Sequence, residues 1–530
     1  MTLKPLGDAA WLVEFSGLSG ETVLARVTGF VAALKSNRPA GVLDVVPSFD
    51  TVAVHYHRTN GAEVREWIES VTVTDQVPEG EEKQIPVCYG GEYGADLEEV
   101  GLMVGLSAKE VVALHSGAVY TVAAVGFSPG FPYLLGLPER LWVPRRETPR
   151  LAVPAGSVAI AGGQAGIYPF DSPGGWNVLG RTGLALFDPL ADKPSLLQPG
   201  DRVRFLPSEN AERVGVISSP SDRTSTRWIE VIEPGGLTTV QDLGRPGYES
   251  SGVSPGGAVD RDAIRMANRI VGNDEGAAAL EICVRGPILK FYGVTTAALV
   301  GATGKSRWIE DGETVDFTKP PAGVRAYLSV AGGIDVNPVL GSSATDLRAG
   351  FGGHEGRALR AGDRLAVGSP GRVPRCGDWH VGRGESLRVS EIELRFLPGV
   401  QEGWFSTAAL RRFRESTYQL TPHSDRMGSR LAGDRLEFAG LREMVSQPVA
   451  CGSVQVPPDG QPIILLAERQ TIGGYPQIGH VVSADLPNLA RAWPGTFLKF
   501  REVTLEEAWK LRCRKERDLH WMQTGLDLLK

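Results

Sequence analysis

Arginines and carboxylates recur close together in Gly-rich stretches of the second half of the chain. Asp242 and Arg245 lie in V-Q-D-L-G-R, and Asp346 and Arg348 lie in T-D-L-R-A-G-F-G-G. Paired Arg and Asp can hold the carboxylate and the amide of a small substrate, and one carboxylate could act as a general base. We therefore predict that Asp242, Arg245 and Asp346 are catalytic. The alternative is a set of buried salt bridges and turn hydrogen bonds that lock these loops.

Between Gly126 and Arg181 the backbone must turn often, because glycine and proline recur every few residues and exclude long helices. The apolar run Ser157–Ala161 indicates a buried strand between turns. Polar groups held on such a β scaffold suit the binding of a small polar or anionic molecule. A β-barrel with tight corners accounts for the pattern equally well. The polar residues that border the turns are Arg145, Arg146, Arg150, Gln164, Tyr168, Ser172 and Arg181.

Length and composition limit the classes of protein that the chain can belong to. The 530 residues suffice for roughly three or four domains, and the 66 glycines favour turn-rich β structure. A net charge of −7 argues against nucleic-acid binding. None of the five cysteines forms a C-x-x-C pair, which argues against a zinc ribbon or a disulfide framework. With neither a signal-peptide pattern nor a long apolar run, we expect a cytoplasmic protein that needs no metal and binds no membrane.

The pattern of strands, helices and turns divides the chain into successive parts. Residues 1–80 alternate strands and helices, and the helix predicted at the C-terminus is charged and amphipathic. The predicted parts are a small α+β domain (1–80), a β-barrel (82–206), a Ser- and Pro-rich linker (207–226), two β units (228–375 and 385–502) and a C-terminal helix (503–530).

Short internal echoes indicate repetition of one structural unit. The turn and strand at 199–205 are echoed at 361–367 and at 494–500, and the segment 164–169 is echoed at 470–476. Because each echo falls near the end of a Gly-rich β segment, we predict three related barrel-like units. These units lie near 82–206, 228–370 and 388–500.

Long sequence blocks in both halves resemble one family of paired subunits. In the first half, P-G-F-P-Y-L-L-G-L, V-P-A-G-S-V-A-I-A-G and S-P-G-G-W resemble subunit 1 of the allophanate hydrolase family, also known as the B subunit of 5-oxoprolinase or as a sporulation-kinase inhibitor. In the second half, E-P-G-G-L-T-T-V-Q-D-L-G-R, T-D-L-R-A-G-F-G-G and S-D-R-M-G resemble subunit 2, also known as the C subunit of 5-oxoprolinase. The chain thus resembles a fusion of the two. The resemblance implies a mainly β fold with α+β parts, in which cyclophilin-like β-barrel units follow a small N-terminal α+β domain.

The resemblance also implies a function. It points to a component of an ATP-dependent 5-oxoprolinase that opens 5-oxo-L-proline to L-glutamate with a separate third subunit, and a homo-oligomer is an additional possibility. A urea carboxylase carboxyltransferase-like or allophanate hydrolase component, and an inhibitor of a sporulation-type histidine kinase, are the alternatives. ATP is implied by the resemblance alone. The residues that we predict to bind substrate are His115, Gln164, Tyr168, Ser172, Arg181, Gln241, Arg348, Arg426, Gln470 and Tyr475.

Several catalytic signatures are absent from the sequence. The run 301–306 resembles a phosphate loop, but Leu299 occupies the position of its first glycine. Ser342 and Ser343 lack the surrounding pattern of an amidase, and there is neither a G-x-S-x-G nor an H-E-x-x-H motif. No lysine follows any of the six methionines, so the chain has no biotin site. His55 and His57 share one face of a strand, but no third metal ligand accompanies them.

Overall fold

The structure is a computed structural model of the whole chain. It describes residues 1–17, 20–57, 61–73, 80–209, 225–301, 305–318, 323–371, 389–440 and 444–528. Most of the predicted linker, 210–224, therefore lies outside the described residues. So does 372–388, which contains the whole segment between the two later β units.

Strands predominate over helices among the described residues. The helices are α1 Gly20–Ser36, α2 Gly61–Ser70, α3 Leu97–Val104, α4 Ala108–Gly117, α5 Arg261–Ile270, α6 Thr407–Glu415, α7 Leu486–Arg491 and α8 Leu505–Leu528, with 3₁₀ turns at Glu139–Leu141, Glu249–Ser251 and Glu402–Trp404. The strands of the first half are β1 Thr2–Pro5, β2 Ala10–Glu14, β3 Val42–Pro47, β4 Thr51–Tyr56, β5 Glu82–Tyr89, β6 Tyr120–Val125, β7 Pro132–Leu135, β8 Arg150–Val153, β9 Ser157–Ala161, β10 Gln164–Ile167, β11 Ser172–Gly174, β12 Asn177–Arg181 and β13 Arg202–Pro207. Those of the second half are β14 Trp228–Glu233, β15 Leu237–Gln241, β16 Ala279–Cys283, β17 Ile288–Tyr292, β18 Thr295–Val300, β19 Lys305–Ile309, β20 Thr314–Asp316, β21 Arg325–Val330, β22 Arg364–Ala366, β23 Glu391–Pro398, β24 Tyr418–Leu420, β25 Gly428–Ala432, β26 Gln447–Pro448, β27 Ser453–Gln455, β28 Ile463–Leu465, β29 Ile472–Gly473, β30 Gln477–Val481 and β31 Phe497–Glu502.

The N-terminal part is a four-stranded antiparallel sheet in the order β1-β2-β4-β3, with α1 and α2 packed on it. Val27, Phe30 and Leu34 of α1 recur at helical spacing and are buried against the sheet. Every residue of β4 is buried, because one face of the sheet meets the helices and the other meets the first barrel.

The first barrel closes seven strands in the order β10-β7-β6-β13-β5-β12-β9. Both faces of strand β9 are apolar, because each face packs in a different core. Val158 and Ile160 point into the barrel core, whereas Ala159 and Ala161 belong to a second core outside it, shared with the N-terminal sheet. This outer core also includes Ile472, so the first and last parts of the chain pack together.

The second barrel repeats the first strand for strand. Around the closed ring its strands follow the order β28-β25-β24-β31-β23-β30-β27. Each of these strands corresponds to the strand at the same place in the order given for the first barrel, from β10 to β9. The only parallel pairs within the two described barrels are β5 with β13 and β23 with β31. The echo between 199–205 and 494–500 therefore marks equivalent strands. The echo between 164–169 and 470–476 does not, because the first lies on β10 and the second spans β29.

The middle unit differs from the prediction of a third related barrel. Its described strands form two separate sheets, in the orders β20-β17-β14-β22 and β15-β16-β21-β18-β19. One face of both sheets contributes to a shared apolar core that includes Ile229, Leu280 and Leu328. Helix α5 covers the other face of the five-stranded sheet through Ile264 and Ala267. A turn followed by a strand is thus common to barrels and open sheets, which is why the echo at 361–367 was misleading.

Helix α8 fastens the N-terminal part to the middle unit. Trp509 Nε1 donates to the Asp8 carbonyl at 3.2 Å, and Lys515 Nζ contacts Asp262 Oδ2 at 2.7 Å. The charged face of this helix is therefore used for ion pairs within the chain.

His115 is a core residue of the first barrel. Its ring stacks on Phe205 with centroids 4.6 Å apart, and Nδ1 hydrogen-bonds to the Tyr89 hydroxyl at 2.8 Å. At the equivalent place in the second barrel, Phe413 stacks on Phe500 at 4.3 Å. Burial lowers the pKa of His115 to about 3.

His115→Phe should flatten the dependence of stability on pH. The ordinary histidine pKa is 6.5, so below that pH the unfolded chain binds a proton at this histidine and the folded chain does not. The contribution of the buried, neutral His115 to stability is complete above pH 6.5 and is lost as the pH falls towards 3. The loss of stability from this group amounts to about 2 kcal/mol at pH 5. Urea unfolding at pH 8 and pH 5 should show a smaller loss in the variant than in the wild type. Equal losses would refute this, and exposed His423→Phe is the control.

Candidate functional site

A buried arginine–carboxylate network joins the middle unit to the second barrel. Arg426 bonds to Glu281 and donates through Nε to Glu468 Oε1 at 2.6 Å. Glu281 also accepts a hydrogen bond from the Tyr327 hydroxyl at 2.6 Å. Burial acts to raise the pKa of Glu281, but Arg426 and Arg325 together bring it below its ordinary value. Burial raises the pKa of Glu468, so this carboxyl holds a proton more readily than the carboxyl of Glu281 does.

Arg245 lies buried beside this network, with 1% of its surface exposed. Its Nη2 donates to the Ala344 carbonyl, and Cζ lies 4.8 Å from the centre of the Phe351 ring. Nε and Nη1 have no hydrogen-bond partner among the described residues. Burial lowers the pKa of Arg245, whereas nearby Asp346 and Asp242 raise it. A buried guanidinium with free N–H groups is costly unless an anion completes it, so this geometry favours an anionic ligand.

Asp242 is occupied by the loop that carries Ser342 and Ser343. Its carboxylate accepts hydrogen bonds from the Ser342 hydroxyl at 2.7 Å and from Ser343 N at 2.6 Å. Gly244 N donates to the same carboxylate at 2.7 Å. Ser342 is 1% exposed and has no histidine among its hydrogen-bond partners on the described chain, so its environment is that of a structural serine rather than a nucleophile.

Arg348 reaches from the second half of the chain to the first. Its Nη1 donates to the Phe127 carbonyl at 3.4 Å, and its Cζ lies 4.9 Å from the centre of the Phe127 ring. The neighbouring Asp346 accepts from Arg348 N at 3.1 Å and fixes the turn. Phe127 has a φ of +67°, a left-handed conformation that costs a bulky residue about 1–3 kcal/mol. A strained turn thus presents an aromatic ring to a half-buried arginine.

Two tyrosines of the first barrel extend this junction. The Tyr168 ring meets Phe127 edge to face at 6.4 Å, and the Tyr133 hydroxyl interacts with Ser446 from the second half. Burial raises the pKa of both tyrosines to about 12. Both phenols therefore keep their protons near neutral pH and can act as hydrogen-bond donors.

The structure brings the predicted residues Asp242, Arg245, Asp346, Arg348, Arg426 and Tyr168 to the junction of the first barrel, the middle unit and the second barrel. Gln241 is buried next to them and donates to the Thr345 carbonyl at 3.2 Å, which holds the loop before Asp346.

Four predicted residues have local partners within the first barrel. His115 lies in the barrel core, as described above. Arg181 Nε donates to the Ala155 carbonyl at 2.8 Å, and Ser172 Oγ donates to the Phe170 carbonyl at 3.1 Å. Gln164 begins β10 and pairs with Ala161. Their predicted role in binding substrate remains a prediction.

Gln470 and Tyr475 lie beside the second barrel. A methyl group added at Gly473 would come within 2.5 Å of Gln470 Nε2, so the glutamine amide packs directly on this glycine. The Tyr475 side chain is 42% exposed, and its carbonyl accepts from Gln455 Nε2 at 3.2 Å.

Phe127, Tyr133 and Glu468 are not among the residues that were predicted from the sequence. A signal existed for Glu468, since it ends the apolar run 463–467 with a charge, where a buried charge needs a partner. No comparable signal singled out Phe127, because its contact with Arg348 joins residues far apart in the chain.

Other kinds of site find little support in the described residues. Lys305 begins strand β19, whereas a phosphate loop continues into a helix. No group of three or more His, Cys, Asp or Glu residues in the described part of the chain is placed to hold a metal ion. Of the described helices, none has the length and apolar character that a membrane crossing requires.

Comparison with known proteins places the chain among carboxyltransferase-domain proteins. The family description "Carboxyltransferase domain, subdomain C and D" matches residues 1–197, and "Carboxyltransferase domain, subdomain A and B" matches residues 251–502. The crystal structure of TTHA0988 is 35% identical, covers 93% of this chain and 99% of its own, and superposes with a TM-score of 0.83. The prediction of a mainly β fold with cyclophilin-like barrels is thereby confirmed.

The relatives are more specific. The C subunit of 5-oxoprolinase from Escherichia coli is 40% identical over 301 residues, which cover 54% of this chain and 96% of the relative. The B subunit of 5-oxoprolinase from Bacillus subtilis is 40% identical over 225 residues, which cover 38% of this chain and 91% of the relative. Urea amidolyase of Saccharomyces cerevisiae is 29% identical over 54% of this chain, but only 17% of that protein is covered. The chain belongs to the family of the B and C subunits of 5-oxoprolinase, with both subunits in one polypeptide.

Proposed function

We propose that the chain is the substrate-binding component of an ATP-dependent 5-oxoprolinase, which opens 5-oxo-L-proline to L-glutamate with a separate third subunit. The observation that carries the proposal is Arg245, a buried cation with two N–H-bearing nitrogens free among the described residues. A carboxylate such as that of 5-oxoproline is the kind of anion that satisfies them. The subunit names of the relatives support the third subunit.

Other residues at this junction could supply the remaining chemistry that a lactam needs. In hydrolysis, water adds to the ring carbonyl carbon, the C–N bond breaks and the nitrogen gains a proton. Glu468, whose pKa is raised by burial, is the carboxyl of the network best suited to hold and transfer a proton. Tyr133 and Tyr168 can donate hydrogen bonds to oxygen atoms of the substrate. ATP follows from the family alone, and no step is assigned to it on the described residues.

The test is reconstitution. The purified chain, mixed with the third subunit, ATP and 5-oxo-L-proline, should form glutamate, and neither protein alone should do so. The separate B and C subunits of a bacterial relative, mixed with the same third subunit, serve as the positive control. Glutamate formation in the control but not with this chain would contradict the proposal.

A second candidate is a carboxyltransferase-like component acting on urea or allophanate, favoured by the carboxyltransferase matches and by the urea amidolyase relative. We expect the chain alone to release no ammonia from allophanate, because the Ser342 hydroxyl donates its hydrogen bond to Asp242. Ammonia release that disappears in Ser342→Ala or Ser343→Ala would favour this candidate instead.

A further inference from the structure

The outer face of the second barrel carries a row of buried polar side chains across strands β27 and β30. Ser453 pairs with His480, and Gln455 pairs with Gln477. Gln477 is fully buried, yet neither Oε1 nor Nε2 has a hydrogen-bond partner among the described residues. The Oγ1 atom of buried Thr471 is likewise without one in this part of the chain. Buried amides are almost always paired, so an unpaired donor and acceptor on one side chain require an explanation.

The first barrel shows that the fold itself does not require these amides. Strands β9 and β12 pair with the same register and the same bulge as β27 and β30. In that register, Ala159 occupies the place of Gln455, and Val178 occupies the place of Gln477. Both of these residues pack in an apolar cluster. The two glutamines are therefore a specific feature of the second barrel, placed where an apolar pair is compatible with the architecture.

Hydrogen bonds connect the backbone of Gln477 to a segment next to the candidate site. Its backbone N donates to Gln401 Oε1 at 3.1 Å, and Gln401 Nε2 donates to Gln447 Oε1 at 2.7 Å. Gln447 follows Ser446, which interacts with Tyr133 of the first barrel. The backbone of Gln477 is thus linked through Gln401 and Gln447 to a segment at the junction of the two halves.

Gly473 keeps the neighbouring amides close to the backbone. A methyl group added there would lie 2.5 Å from Gln470 Nε2 and 2.7 Å from Gln455 Nε2. With no side chain at this position, both amide groups lie directly against the backbone. Gln455 and Gln470 therefore both lie against Gly473 of β29, and Gln477 is the cross-strand partner of Gln455.

We propose that Gln477 recognises the cis-amide edge of a lactam, with Gln455 and Gln470 beside it. A five-membered lactam presents its N–H and its C=O on the same edge. A primary amide matches that edge with two hydrogen bonds, its oxygen accepting from the lactam N–H and its NH₂ donating to the lactam oxygen. The inference rests on the proposed function and names the group that selects a cyclic amide.

The experiment measures binding to the full chain by calorimetry. The ligands are 5-oxo-L-proline, 2-pyrrolidinone, which lacks the carboxylate, and 3-oxocyclopentanecarboxylate, in which CH₂ replaces the ring N–H. The wild type should prefer 5-oxoproline to the ketone by roughly 10-fold or more, and Gln477→Met should weaken 5-oxoproline binding by roughly 10- to 100-fold and remove that preference. Thermal melting should show that Gln477→Met is folded. Gln419→Met, at an exposed glutamine of the same barrel, should bind like the wild type.

The outcomes separate this inference from the proposed function. The inference is overturned if the wild type and Gln477→Met bind 5-oxoproline equally, or if both show the same preference for it over the ketone. Either result would show that Gln477 does not recognise the lactam. If 2-pyrrolidinone binds in a Gln477-dependent way but 5-oxoproline does not, the lactam site stands and the proposed substrate is wrong. If neither lactam binds, both are rejected.

Discussion

Arg426→Met should destabilise the junction between the middle unit and the second barrel by about 3–5 kcal/mol. The side chain that replaces the guanidinium has similar length, but it leaves Glu281 and Glu468 buried without their shared partner. Breaking a buried ion pair costs more than the pair contributes, because a desolvated charge remains. Urea unfolding followed by tryptophan fluorescence at pH 7 should show the loss as an earlier transition.

Two further variants identify the origin of this loss. Arg430→Met, at an exposed arginine of the same strand region, should leave the transition nearly unchanged. Adding Glu281→Gln and Glu468→Gln to Arg426→Met should recover part of the stability, because neutral amides remove the unpaired charges. If the single variant unfolds like the wild type, or if the triple variant is still less stable than the single one, the network is not held by its charges.

The same network predicts how the stability of the fold changes with pH. The pKa of Glu281 is lower in the folded chain than its ordinary value of 4.5. Its contribution to stability is therefore present above pH 4.5 and is lost as the pH falls through the lower folded-state value. Glu468 has a raised pKa and acts in the opposite sense, so the two carboxyls partly offset each other in acid.

The barrels were predictable from the sequence because their determinants are local. Glycines and prolines set the corners, and β-branched runs such as Ser157–Ala161 set the strands. The middle unit was not predictable in the same way. Closure of a barrel depends on which strands pair, and β14 pairs with β17 and β22 instead of with its neighbour β15. A seven-residue echo at 361–367 carries no information about that choice.

The candidate site was predictable only in its residue types. Asp242, Arg245 and Asp346 were predicted to be catalytic, with salt bridges between them as the alternative. Their hydrogen bonds go to loop N–H groups, a serine and a carbonyl. The contact of Arg348 with Phe127 and the bond of Arg426 to Glu281 join distant segments. Such contacts follow from the packing of three units, which residue spacing along one chain does not contain.

Arg245→Met should reduce kcat/KM for 5-oxoproline by roughly 10- to 100-fold in the complex with the third subunit, since a charge-assisted bond to a carboxylate contributes about 1.5–3 kcal/mol. The substitution removes the hydrogen bond to the Ala344 carbonyl and the charge that attracts Asp346 and Asp242, so thermal melting must show that the variant is folded. Affinity for 2-pyrrolidinone, which has no carboxylate, should hardly change, and this contrast distinguishes a binding arginine from a structural one. Arg285→Met, at an arginine with 56% of its side chain exposed, is the matched control. Equal weakening for both ligands, or full activity in Arg245→Met, would show that Arg245 does not hold the substrate carboxylate.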